Sequence, residues 1–242
     1  MATFIAIHGA FHGGWCFEPL RPLLAAAGHA LVAPTLPGMG GAGCEPAAVT
    51  LDGWAGYVRE LARAAVPPVW LCGHSRGGLV ISAAAERDPD AVAGLVYVAA
   101  LLLPDGRSVR AHQQANPVAP EFVAAVRADG ERRTLTFDPA AATGLFYQRC
   151  PAEAAHGAAA RLVSEPMNPL NTPLALSAER FGRVPRHYVE CSDDRALPLA
   201  EQRAMQAVLP CASVTTLDSD HSPFLCCPAD LAVALDRIAD HG

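Results

Sequence analysis

Three separated segments carry side chains able to perform nucleophilic acyl transfer. Ser75 lies in Gly73-His74-Ser75-Arg76-Gly77, after the apolar run Val69-Trp70-Leu71-Cys72 and before a helix-type segment from Gly78. A serine hydroxyl is a weak nucleophile; it needs a base, and the base needs a carboxylate to orient it. Glycines two before and two after the serine keep Cβ atoms out of a tight strand-to-helix turn that lifts Oγ above the strand end. The helix that follows aims its N-terminal amides at the same point, where negative charge would develop. The candidate base is His221, in Asp218-Ser219-Asp220-His221-Ser222-Pro223, and the candidate carboxylates are Asp193 and Asp194, in Ser192-Asp193-Asp194-Arg195-Ala196-Leu197-Pro198. Spacing alone does not separate Asp193 from Asp194. Asp220, beside the base, reads as a turn former. The chain order serine, aspartate, histidine is one of the known triad orders.

An acyl-transfer site also needs donors for the oxyanion. The glycine-rich stretch Ile7-His8-Gly9-Ala10-Phe11-His12-Gly13-Gly14-Trp15 can turn a backbone N–H toward the serine. The amides of Ala10 and Arg76 are assigned to that role. The stretch matches neither G-x-G-x-x-G nor a Walker pattern, so a phosphate loop is set aside. Phe11, His12, Trp15, Phe122, Phe146, Tyr147 and Met167, with Leu145 nearby, are the candidate substrate lining. That lining favours a small to medium apolar or aromatic group. Packing of the same residues against the core is the plainer reading. The Arg76 guanidinium either folds onto a nearby carboxylate or reaches the pocket, where it would recognise an acid. His29, His112, His156, His187 and His241 have no placed partner and are taken as ordinary.

These residues need elements that hold them at one place. Short β-type runs occur at Thr3–Ile7, Ala30–Ala33, Val69–Cys72, Gly94–Ala99, His187–Cys191 and Ser213–Leu217, most of them apolar on both faces. Segments with helical spacing alternate with them at about Phe17–Ala27, Leu51–Val66, Gly78–Arg87, Leu199–Val208 and Ala229–Ala239. Strand–helix alternation with short connections implies right-handed crossovers and one α/β parallel sheet of about six strands, covered by helices on both faces. Active-site groups in such sheets lie beyond the carboxyl ends of the strands, which is where Ser75, Asp194 and His221 fall. The stretch 105–185 breaks the rhythm. It shows no convincing strand, helical spacing at Glu121–Arg127 and Ala152–Leu162, and the breakers Asn168-Pro169 and Thr172-Pro173. It is too long for a loop and is expected to be a small helical lid inserted into a core made of 1–104 and 186–242.

The bulk properties narrow the class. The 242 residues suit a single domain, 51% hydrophobic and 17% charged, with a formal charge of −6. Acidity argues against nucleic acid and against an anionic membrane. No signal-type segment opens the chain, and no apolar stretch reaches the roughly 20 residues of a span. A soluble cytoplasmic protein is expected, without membrane or nucleic-acid partner and compatible with a homodimer. The eight cysteines have no zinc-type spacing and no disulfide framework. They are read as reduced and mostly buried, and no metal or cofactor is called for.

Taken together, His8-Gly9-Ala10, His12-Gly13-Gly14-Trp15, Pro22-Leu23-Leu24, Ala27-Gly28-His29, Gly73-His74-Ser75 with Gly77-Gly78, Asp194-Arg195-Ala196-Leu197-Pro198 and Asp220-His221 resemble the α/β-hydrolase family of plant methylesterases and hydroxynitrile lyases, and bacterial esterases related to them. The resemblance covers both core segments and only loosely the lid. It implies an α/β-hydrolase fold, a cofactor-free serine esterase acting on a small-molecule ester, and Asp194 rather than Asp193 as the triad acid. Its hydroxynitrile lyases carry a Lys after the histidine and a Thr in place of Gly9. Here Ser222 follows His221 and the chain has no lysine, which disfavours cyanohydrin cleavage. The superfamily's lyases, cyclases and dehydratases, with His221 as base, form the alternative class; a ligand-binding receptor is a third.

Overall fold

The computed structural model describes residues 1–40, 44–116 and 118–241. Among the described residues, nine strands run in chain order as β1 Thr3–Ile7, β2 Ala30–Val32, β3 Val69–His74, β4 Gly94–Val98, β5 Val126–Asp129, β6 Thr134–Phe137, β7 Glu165–Pro166, β8 Arg186–Cys191 and β9 Ser213–Leu217. Six of them form a fully parallel sheet in the order β2-β1-β3-β4-β8-β9. The four central strands are buried along nearly their whole length, as their apolar runs require of a sheet covered on both sides. The edge strands differ. Most of β9 and the ends of β2 are exposed, because an edge has a neighbour on one side only.

Helices α1 Leu20–Ala26, α2 Leu51–Ala64, α3 Gly77–Arg87, α9 Leu199–Val208 and α11 Pro228–His241 cover the sheet, the short α10 Pro223–Cys226 leading into α11. In α2, Leu51, Trp54, Ala55, Val58 and Ala62 recur at helical spacing and are buried, so one face docks on the core. Thr50 caps it, its Oγ1 accepting from Gly53 N at 2.9 Å. α3 is buried almost all round, lying between the sheet and α2. α1 and α11 pack on the opposite face over Phe4, Trp70, Val96 and Val189.

Between β4 and β8 the described residues form the short helices α4 Val109–Ala115, α5 Pro120–Ala125, α6 Pro139–Leu145, α7 Ala152–Ala159 and α8 Met167–Asn171. The inserted segment is thus helical, but it also holds β5, β6 and β7 in a small antiparallel sheet. This corrects the reading of 105–185 as free of strands. Helical spacing at Glu121–Arg127 also gives way: α5 stops at Ala125 and the chain enters β5. β5 is polar and largely exposed, and β6 and β7, with four and two residues, are too short to show the apolar alternation by which strands are read. All eight cysteines are free; Cys16, Cys72 and Cys191 are buried, Cys44 is exposed and the others are half-buried.

Candidate active site

Sheet register brings the three chemical segments together. Ile7 pairs with Gly73, so the loop after β1 starts beside the turn that carries Ser75. Cys191 pairs with Leu217, so the residues after β8 and β9 leave the sheet side by side. Ser192 N and Asp193 N donate to Leu217 O and Ser219 O, each at 3.0 Å, carrying that pairing up to the candidate acid and base.

Ser75 occupies the step between β3 and α3 with φ +51, a left-handed conformation rare for a residue with a side chain. Ser75 N donates to Val98 O, and Ser75 O accepts from Leu101 N and Gly78 N. The step is tight. A Cβ on Gly77 would lie 2.4 Å from Ile7 O, and one on Gly9 would lie 2.9 Å from Ser75 Cβ. Both glycines are therefore required by close approach of β1 and its loop to the turn.

His221 Nδ1 donates to Asp194 Oδ2 at 2.7 Å, leaving Nε2 as the ring nitrogen available to Ser75. Asp194 Oδ1 accepts from the amides of Ala196 and Leu197, both at 2.8 Å, so the buried carboxylate is fixed and aimed. Asp193 is exposed, with its side chain outside the site. Asp220 shapes the turn as expected: Oδ1 accepts from Ser222 N at 2.9 Å and Oδ2 from Arg149 N at 2.8 Å. The carbonyl of His221 accepts from His74 Nε2 at 2.8 Å, tying the base to the residue before Ser75. The amides of Ala10 and Arg76 have no partner among the described residues. Ala10 is half-buried and Arg76 buried, and unpaired amides so placed are rare; the two are the candidate oxyanion donors.

Several buried histidines surround this centre. His8 Nε2 accepts from Leu36 N at 3.1 Å, so Nδ1 carries the proton donated to Gly9 O at 2.9 Å. His12 Nδ1 donates to Ala10 O at 2.7 Å, and Nε2 accepts from the Tyr147 hydroxyl at 2.7 Å. Burial pushes His12 down to about 4, and pushes His8 and His74 well below the usual histidine range. All three are neutral at pH 7 and serve as fixed hydrogen-bonding parts, not as bases.

Ser75, His12, His74 and His221 line a cavity of about 170 Å³, roofed by the inserted segment through Val118, Phe122, Val126, Leu135 and Phe146. Of the expected lining, Phe11, His12, Phe122 and Phe146 face it; Trp15, Tyr147 and Met167 do not. Trp15 stacks on His12 with ring centroids 5.6 Å apart, Tyr147 holds the far side of His12, and Met167 opens α8. Their aromatic or apolar character is used in packing. Two polar groups on the wall were passed over. His112 Nε2 lies 2.7 Å from Glu201 Oε1, joining the inserted segment to α9. Neither stands in a motif, and only the fold makes them neighbours.

Arg76 takes the first of its two expected fates. Its side chain is 2% exposed, with Nε 2.9 Å from Oε1 of the fully buried Glu165. That approach is bent off the N–H axis, so it is an ion pair without a hydrogen bond. Nη2 donates to Gly9 O at 3.1 Å, and the guanidinium stacks 4.4 Å from the Trp54 ring centroid. Burial pushes Glu165 up and Arg76 down, and the pair's attraction opposes both shifts. Glu165 had no sequence signal, lying in a two-residue strand far from Arg76.

A sequence profile described as "Alpha/beta hydrolase family" matches residues 4–234. A pyrethroid hydrolase of Sphingobium wenxiniae is 32% identical over 99% of this chain and 88% of its own length. Norfluorocurarine synthase 1 of a Strychnos species is 29% identical over 98% of the chain and 95% of its length. Esterase PIR7B of Oryza sativa subsp. japonica is 30% identical over 98% and 95%. Among solved structures, a pyrethroid hydrolase superposes with a TM-score of 0.88 at 30% identity, covering 99% of this chain and 98% of that one.

Proposed function

The chain belongs to the alpha/beta hydrolase family and is a carboxylic ester hydrolase; we propose that its substrates carry a small to medium apolar or aromatic group and that the acyl group passes through Ser75. The observation that carries this reading is the 2.7 Å bond from His221 Nδ1 to Asp194, set beside a serine at φ +51 in one apolar cavity.

In this scheme His221 Nε2 takes the Ser75 proton as Oγ attacks the ester carbonyl. The tetrahedral oxygen then accepts from the Ala10 and Arg76 amides, which are already oriented and spend nothing on reorganisation. Collapse expels the alkoxide, which leaves as the alcohol with the proton from His221. Water, deprotonated by the same nitrogen, then attacks the acyl-serine and releases the acid. Asp194 fixes the tautomer and stabilises the imidazolium. Among the described residues no group of His, Cys, Asp and Glu is placed to hold a metal ion, and no helix is long and apolar enough to cross a membrane.

A second reading keeps the pocket and drops the acyl step, with His221 as base on a substrate proton; the synthase among the relatives favours it. A panel of p-nitrophenyl and methyl esters of graded acyl size, run on wild type and Ser75→Ala, tests the first reading. A mass increase of one acyl group on the intact wild-type chain supports it. Near-normal turnover by Ser75→Ala overturns it.

A further inference from the structure

The loop that carries the Ala10 amide is gripped on both sides of that residue by one buried ion pair. Gly9 O accepts from Arg76 Nη2 at 3.1 Å, and Phe11 N donates to Glu165 Oε2 at 3.1 Å. Gly9 and Phe11 flank Ala10, so the two grips hold the peptide planes before and after it. Phe11 itself sits at φ +63, a conformation a phenylalanine does not adopt unless it is held. Phe11 O accepts from Val163 N at 2.9 Å, a second bond from the inserted segment. His12 fixes Ala10 O and His8 also donates to Gly9 O. Ala10 N–H is left pointing free in a loop whose surrounding groups are committed.

We propose that the Arg76–Glu165 pair is a positioning device for the oxyanion hole, locking the Gly9–Phe11 loop so that the Ala10 amide stays aimed at Ser75, and that through Glu165 it links the inserted segment to catalysis. The inference rests on the ester-hydrolase reading of Ser75. Three parts of the chain meet at the pair. Arg76 follows the nucleophile and contributes the other oxyanion amide, so its backbone and side chain serve the same site. Glu165 comes from β7 in the inserted segment, and Trp54 of α2 closes the guanidinium face. The charged pair is isolated from water, and breaking one half leaves the other uncompensated. Neither side chain touches the substrate in this scheme; both act through the Ala10 amide. A shift of the amide by about 1 Å is enough to cost about a hundredfold in rate.

The test compares Glu165→Gln, Glu165→Leu and the double variant Arg76→Met with Glu165→Leu. The last replaces the pair with apolar groups of similar size, so that stability and positioning separate. Turnover of p-nitrophenyl butyrate, inhibition by phenylboronic acid and deuterium exchange of the 8–12 peptide are measured beside Tm. The double variant is expected to lose about 10- to 100-fold in kcat with KM within about twofold. Its affinity for the boronate, whose tetrahedral oxygen needs the same amides, falls by a similar factor. Exchange in 8–12 quickens in the double variant and is unchanged in Ser75→Ala. Glu165→Gln keeps an acceptor for Phe11 N–H and retains more kcat than Glu165→Leu. A double variant with wild-type kcat and boronate affinity overturns the proposal, as does a kcat loss in Glu165→Leu that the double variant restores along with Tm. Absence of Ser75-dependent turnover in the wild type would instead overturn the ester-hydrolase reading. The exchange measurement then still decides: slow exchange kept in the double variant overturns the clamp.

Discussion

The carboxyl end of the parallel sheet and the inserted segment above it meet at one cavity, yet they hold their residues by different means. At the sheet, backbone pairing does the positioning. Ile7 against Gly73 and Cys191 against Leu217 place the Ala10 loop, Ser75, Asp194 and His221 before any side chain is considered. The inserted segment is held by side chains. Its core is a cluster of Phe11, Phe137, Phe146 and Tyr147 packed with small residues of α6 and α7, and among its charged ties to the sheet domain the one from Glu165 to Arg76 is fully buried. Parallel ladders fix atoms closely and tolerate many sequences; side-chain packing tolerates little change in shape but can be rebuilt piece by piece. On the proposed reading the reaction belongs to the sheet and selection to the roof, with the Arg76–Glu165 pair as the proposed place where the roof acts on the reaction.

Substitutions at the sheet are expected to act on kcat, beginning with the largest effect. Ser75→Ala should lower kcat by about 10⁴–10⁶ with Tm close to wild type, measured on the fastest ester of the panel. Asp194→Asn should cost about 10³–10⁴ by leaving the wrong histidine tautomer, and Asp193→Asn should change kcat by less than about threefold. If the two aspartates exchanged effects, positioning by sheet register would be refuted at its most specific point.

Acid tests the buried histidines that surround the site. Their folded pKa lies below the unfolded one, so the unfolded chain takes up protons first. Stability is full above the ordinary histidine value of 6.5 and is lost as pH falls toward 4. His12, at about 4 when folded, accounts for about 3 kcal/mol of that loss. His8 and His74 add in the same direction, and Glu165, pushed up, opposes them. Tm should fall between pH 6.5 and 4.5, and a flat profile would refute neutral histidines. The smallest effect is expected in the roof. Phe122→Ala should raise KM for aromatic or long-chain esters about tenfold, leaving kcat for an acetate ester nearly unchanged. A matching fall in kcat would show that the roof shapes the reaction beyond its tie at Glu165.

The sequence was legible where periodicity and motif coincide. All six strands of the parallel sheet lie within a residue or two of their apolar runs, and α9 matches Leu199–Val208 at both ends. The Gly73–Gly77 motif implied its own strand and helix, because such a turn needs one on each side. In the inserted segment the signal failed. Arg127 and Asp129 in β5 and the Pro166 in β7 disguise strands of only four and two residues, and α5 ends where helical spacing seemed to continue. Trp15 and Tyr147 were aromatic for packing against His12 and not for the cavity, a distinction invisible without neighbours.

What the sequence determined by itself was local: a serine on a glycine-flanked turn, a histidine and an aspartate after the last two strands, and the fold class that brings strand ends together. Those features depend on hydrogen bonds and hydrophobic patterns repeating over a few residues, which a linear reading can see. Spacing left Asp193 and Asp194 equal and only the resemblance favoured Asp194; the tertiary structure sets Asp194 against His221 and Asp193 in water, and it alone decided that His112 meets Glu201 and that Arg76 closes on Glu165 instead of reaching substrate. Each is a contact between side chains distant in sequence. Its geometry follows from how layers pack, and no spacing along the chain encodes it.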